Sequence, residues 1–121
     1  MFKFVELNKR VIMNTDTINA PVATSELKID VIQLKKAALV LRAVNHKLRQ
    51  QMLRLLHQNG QMTVTQIYVK LRLEQSVASQ HLAILRKAGF VNTQRDGKFI
   101  YYSVNHARLD QAHHVVHELL K

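Results

Sequence analysis

The chain contains no cysteine, one proline and only three glycines in 121 residues. Without cysteine there is no disulfide, no thiolate metal site and no thiol redox sensor. Three glycines leave no room for a glycine-rich phosphate loop. The scarcity of both helix breakers predicts a mostly helical domain. No apolar run reaches the roughly 18 residues of a membrane-spanning helix. The opening MFKFVELNKR has too short an apolar stretch for a secretory signal. Acidic residues are scarce as well: eight Asp and Glu face eighteen Lys and Arg, a net charge of +10. The expectation is a cytoplasmic protein with a polyanionic partner, nucleic acid ahead of membrane. At 47% apolar residues the chain can build a core, and its length suits one domain.

Composition divides the chain early. Residues 1–25 mix apolar and basic positions, then turn formers around Pro21, and read as an arm and linker. Residues 26–121 read as the folded domain. Ser25 is placed to cap a first helix whose stripe is Leu27, Val31, Leu34, Ala38 and Leu41. Asn45 is expected to cap a second helix with Leu48, Met52, Leu55 and Leu56 on its apolar face, ended by Asn59-Gly60. Thr63 and Gln66 have the spacing of a capping box, opening a short third helix. A fourth helix runs to about residue 88, with Gly89 just past its end and Phe90 as the apolar follower. The period then changes. Two β-rich runs flank Asp96-Gly97, a hairpin signal that places a wing at 91–104. Asn105 is placed to cap a last helix over 106–120.

The fourth helix carries the function. In "EQSVASQHLAIL" (74–85), Val77, Ala78, Leu82 and Leu85 recur at helical spacing, while the opposite face offers Gln75, Ser76, Ser79, Gln80 and His81. Short amides and hydroxyls both donate and accept, which suits base edges in a major groove. Arg86 and Lys87 follow, and Arg95 and Lys98 bracket the hairpin tip, where phosphates or a minor groove would lie. Arg42, Lys47, Arg49, Arg54, Lys70 and Arg72 add positive charge. The order of elements is that of a mostly α (α+β) winged helix-turn-helix with a two-stranded β wing.

The stretches "LRAVNHKLRQQMLRLLHQNG", "VTQIYVKLRLEQSVASQHLAILRKAGFV" and "RDGKFIYYSV" resemble the ArsR/SmtB-type winged-helix regulators over about residues 42–105. The resemblance implies a homodimeric, DNA-binding transcription regulator, with double-stranded operator DNA as partner and no membrane partner. It implies base and phosphate contacts at Gln75, Ser76, Ser79, Gln80, His81, Arg95, Gly97 and Lys98, with Arg86 flanking. It also implies pairing of first and last helices, here through Leu34, Ala38, Leu41, Val116, Leu119 and Leu120. One position departs from the pattern: Glu74 stands where the family commonly has Ser, a poorer cap and an anion near phosphate.

The metal sites that the resemblance suggests do not match. Thr63 and Thr65 occupy the family's Cys-x-Cys positions. His106, Arg108 and Leu119 occupy three positions of the last-helix site, and its final position falls after Lys121. An improvised Zn²⁺ or Ni²⁺ site on Asp110, His114 and His117, flanked by His113, is the weaker reading; solvated histidines on the last helix are favoured, and no cofactor is expected. No enzyme is expected either. Ser79 and His81 lie two apart on different helix faces, and no cysteine nucleophile exists.

Overall fold

Residues 26–121 are described by the computed structural model; the expected arm, linker and Ser25 cap lie outside them. Helix α1 spans Val31–Val44, α2 Lys47–Asn59, α3 Val64–Leu71, α4 Gln75–Lys87 and α5 His106–Leu120. Strand β1 is Met62–Thr63, β2 Val91–Asp96 and β3 Phe99–Val104. The helix-turn-helix is α3–α4, and the wing is β2–β3.

The first helix starts later than its periodicity suggests. Residues 26–30 are neither helix nor strand, and Leu27 is exposed. Asp30, of a type that favours the position before a first turn, immediately precedes Val31. The predicted stripe is not a core stripe either: Val31, Leu34 and Ala38 are exposed, and α1 reaches the core only through Ala43, with Val40 and Val44 packed alongside.

The cap of α2 is His46, not Asn45. The Asn45 amide bonds to Leu41 and Arg42 carbonyls at 3.0 and 3.2 Å, so Asn45 still closes α1. His46 is extended (φ −155°, ψ 126°), and its Nδ1 accepts from the Leu48 amide at 3.2 Å. The Thr63–Gln66 capping box forms as expected, with bonds of 2.9 and 3.2 Å. Arg72 then takes φ 56° and ψ 48° to turn the chain toward α4, letting Leu73 N–H reach the Tyr68 carbonyl at 2.9 Å. A left-handed non-glycine residue costs about 1–2 kcal/mol, and nothing local in the sequence marks it.

Helix α4 ends in the doubly bonded reverse turn expected of Gly89-Phe90. Gly89 (φ 89°) donates to Arg86 O at 3.0 Å and Phe90 donates to Leu85 O at 2.9 Å. Phe90 is fully buried among Met52, Leu56, Ile67, Leu82 and Leu85, where α2, α3 and α4 meet the base of the wing.

The hairpin turn is displaced by one residue from its expected place. Asp96 pairs with Phe99, so the two loop residues are Gly97 and Lys98. Positive φ occurs at Gly97 (64°) and not at Lys98, the pattern of a turn with glycine at its first central position. The sheet is also wider than the wing: β1 pairs with β3, giving the order β1-β3-β2. Finally, Asn105 caps α5 as expected, accepting from Arg108 N–H at 3.2 Å. Its amide also donates to Gly89 O at 3.0 Å, and Arg108 Nε donates to Ala88 O at 3.1 Å. These bonds fasten the start of α5 to the end of α4.

Candidate nucleic-acid interface

Helix α4 has two faces. Ala78, Leu82 and Leu85 are buried, and Val77 is half-buried. Gln75, Ser76, Ser79 and Gln80 are all exposed and lie within the first two turns, as the sequence predicts. Glu74 stands at the cap position in extended geometry, but its side chain makes no cap bond; Ser76 is already the second helical residue. The first-turn N–H groups of α4 are therefore not occupied by a side-chain cap, and a helix N-terminus in that condition favours an anion.

Arg86, Arg95, Gly97 and Lys98 are exposed. Arg95 donates to Gly97 O at 3.2 Å, which folds its guanidinium over the hairpin turn, and Lys98 Nζ sits 5.4 Å from the centre of the Phe99 ring. Among the described residues none of the three cations makes an ion pair, whereas Lys121 pairs with Glu118 at 3.0 Å.

His81 differs from its neighbours. It is half-buried, its ring lies 4.8 Å from the His46 ring, and its Nδ1 is 3.1 Å from an Arg49 terminal nitrogen. Arg49, grouped by sequence with the surface cations, is only 7% exposed. Its Nε donates to Ala43 O at 2.6 Å and its other terminal nitrogen to Arg42 O at 3.3 Å. Set in the largely polar run His46-Lys47-Leu48-Arg49-Gln50-Gln51, Arg49 offers no sequence signal for such a role.

Burial, His46 and Arg49 together hold the His81 imidazole below its ordinary value of 6.5. The folded chain thus takes up its proton later than the unfolded chain. As pH falls through 6.5, the unfolded state binds the extra proton and stability declines; below the lowered folded value the decline ends. Urea unfolding between pH 8 and 5 is expected to show this loss, and His81→Asn is expected to remove that part of it. An unaltered pH profile in the variant would assign the decline elsewhere.

The expected helix-pairing residues Leu34, Ala38, Val116, Leu119 and Leu120 are exposed, and Leu41 is half-buried. Leu34, Leu119 and Leu120 keep 64%, 72% and 80% of their surface in solvent. Asp110, His114 and His117 are exposed on α5, and among the described residues no group of three or more His, Cys, Asp or Glu gathers closely enough to hold a metal ion. No helix among the described residues is long and apolar enough to cross a membrane.

A short helix, an αL turn, a helix with an uncharged polar outer face and a cationic hairpin define a winged-helix protein of the transcription-regulator class. The model of the family "Bacterial regulatory protein, arsR family" matches residues 46–93. An uncharacterized HTH-type transcriptional regulator of Methanocaldococcus jannaschii is 35% identical over 85 residues, covering 70% of this chain and 96% of that protein. Reduced HlyU from Vibrio cholerae superimposes with a TM-score of 0.57 at 32% identity, covering 73% of this chain and 92% of that one. The transcriptional repressor PagR of Bacillus anthracis gives a TM-score of 0.57 at 30% identity, covering 76% of this chain and 100% of that one. The chain belongs to the arsR family of regulatory proteins.

Proposed function

We propose that the protein is a homodimeric, sequence-specific operator-binding repressor acting in the cytoplasm. The observation that carries this reading is the outer face of α4: Gln75, Ser76, Ser79 and Gln80 exposed together, with exposed cations at Arg86 on the same helix and at Arg95 and Lys98 on the wing. The amides and hydroxyls discriminate base edges in the major groove, while the cations hold phosphates. Pairing of α1 and α5 with a second copy would bury Leu34, Ala38, Leu41, Val116, Leu119 and Leu120. The exposed apolar surface on those helices supports it. Two copies of α4 then enter successive major grooves about 34 Å apart on a near-palindromic site. Repression is by promoter occlusion, relieved by an inducer.

The test begins by selecting preferred duplexes from a random DNA pool. Gln80→Ala is expected to cost about 1–3 kcal/mol on the selected duplex and to relax choice at one base pair. Lys98→Ala is expected to weaken every duplex alike and to lower the salt slope by about one. Equal affinity and slope for selected and random DNA would make this a low-specificity DNA-binding module instead. PagR is named a repressor and HlyU an activator. Transcription from the selected site in a purified system is expected to fall when the protein is added; a rise would make it an activator.

A further inference from the structure

The bonding of Arg49 fixes the chemistry of His81. A guanidinium has only donors, so the His81 Nδ1 that lies 3.1 Å from it must be the acceptor. An Nδ1 that accepts carries no proton, and the neutral ring then holds its proton on Nε2. The guanidinium cannot swing away to allow the other tautomer, because Nε and its second terminal nitrogen are bonded to the Ala43 and Arg42 carbonyls at the end of α1. The His46 ring closes another side at 4.8 Å, and His46 is itself held as the cap of α2. Among the described residues, Nε2 of His81 has no protein hydrogen-bond partner. His81 follows the exposed Gln80 and is itself half-buried, at the border between the two faces of α4.

We propose that Arg49 is a positioning residue for DNA recognition: it locks His81 as the Nε2–H tautomer, so that this N–H is a fixed donor to an acceptor atom of the bound duplex. The inference rests on the operator-binding reading, and it adds a specific donor that neither Gln80 nor the wing supplies. It also gives a role to an arginine that stands in a nearly dry position. Its three bonds link the end of α1, the start of α2 and the reading helix in one rigid unit.

Two measurements on the full chain test it. Long-range ¹H–¹⁵N correlation at neutral pH is expected to show His81 protonated on Nε2 alone; a proton on Nδ1, a mixture of tautomers or an imidazolium overturns the proposal. This reading needs no DNA. The second measurement uses His81→Asn, whose Oδ1 takes the place of Nδ1 and still accepts from Arg49, but which has no N–H at the far side of the ring. The variant is expected to fold and to bind the selected duplex on the order of tenfold more weakly. Affinity for that duplex equal to the unsubstituted protein's would remove the donor role. In Arg49→Met the His81 nitrogen signals are expected to become those of mixed tautomers, provided circular dichroism is unchanged. Retention of the single Nε2–H form in a folded Arg49→Met protein would overturn the role of Arg49. Failure of the unsubstituted protein to prefer any duplex would instead reject the operator-binding reading and leave the tautomer result standing.

Discussion

Leu34→Glu combined with Leu119→Glu is expected to give a folded monomer that binds its operator at least about 100-fold more weakly than the unsubstituted protein. Both side chains are largely in solvent in the single chain, so charging them breaks no core contact. Surface changes of that kind usually alter stability by less than about 0.5 kcal/mol. In the proposed dimer the same four carboxylates would have to be buried against apolar partners, which is costly without counter-ions. DNA affinity should fall much further than stability. With two reading helices joined, the second engages at the high effective concentration set by the first, and joining commonly adds a factor of about 10² to 10⁴. Sedimentation should show the monomer, circular dichroism an unchanged helix content, and titration of a full operator the loss. A half-site titration should show almost none. Full-length binding that survives in a demonstrably monomeric double variant would separate DNA recognition from pairing of α1 and α5.

Phe90→Ala is expected to lower the unfolding free energy by about 3–5 kcal/mol. Phe90 is fully buried where three helices meet the wing, and the Arg108 guanidinium lies 5.9 Å from its ring centre. Its backbone bonds to Leu85 and Asn105 survive the substitution, so the loss measures the side chain alone. Domains of this size hold about 5–15 kcal/mol in total, so the variant would be marginal, with a melting temperature lower by roughly 12 °C or more. Urea unfolding should show the midpoint falling with little change in slope. A cost under about 1 kcal/mol would mean that neighbouring helices collapse into the space and that Phe90 does not hold the reading helix to the wing.

Some of this structure was legible residue by residue. The Thr63–Gln66 box, the Gly89-Phe90 ending and the Asn105 cap each involve bonds spanning three to five residues, so their signals stand within one short window. The two faces of α4 follow from helical periodicity in the same way. Asn45 shows where local reasoning fails. It is a better cap than His46 by type, but its backbone still closes α1, and the extended residue before α2 is His46. Arg72 fails for another reason: its left-handed turn is imposed by the packing of α3 on α4, against the preference of any side-chain-bearing residue. The hairpin shows how small the margin can be. Asp96-Gly97 and Gly97-Lys98 are both acceptable loops by type, and they differ in which β3 residue stands opposite each β2 residue. Val104 opposite Val91 is buried in the observed register.

By itself, the sequence determined the order of the five helices and the two wing strands, the polar outer face of α4, the cationic wing tip and the absence of thiol chemistry. Those depend on residue type and on spacings shorter than two helical turns. Only the tertiary structure decided that β1 joins the wing, that the stripe on α1 is left uncovered by the other described residues, that Arg49 is buried and that His81 turns its Nδ1 toward Arg49. Each of these joins residues separated by a dozen or more positions or depends on what the fold leaves uncovered, as with Arg49 and His81, which lie 32 residues apart. Sequence proximity carries no information about such pairs; burial, and the need of every buried donor for an acceptor, fixes them.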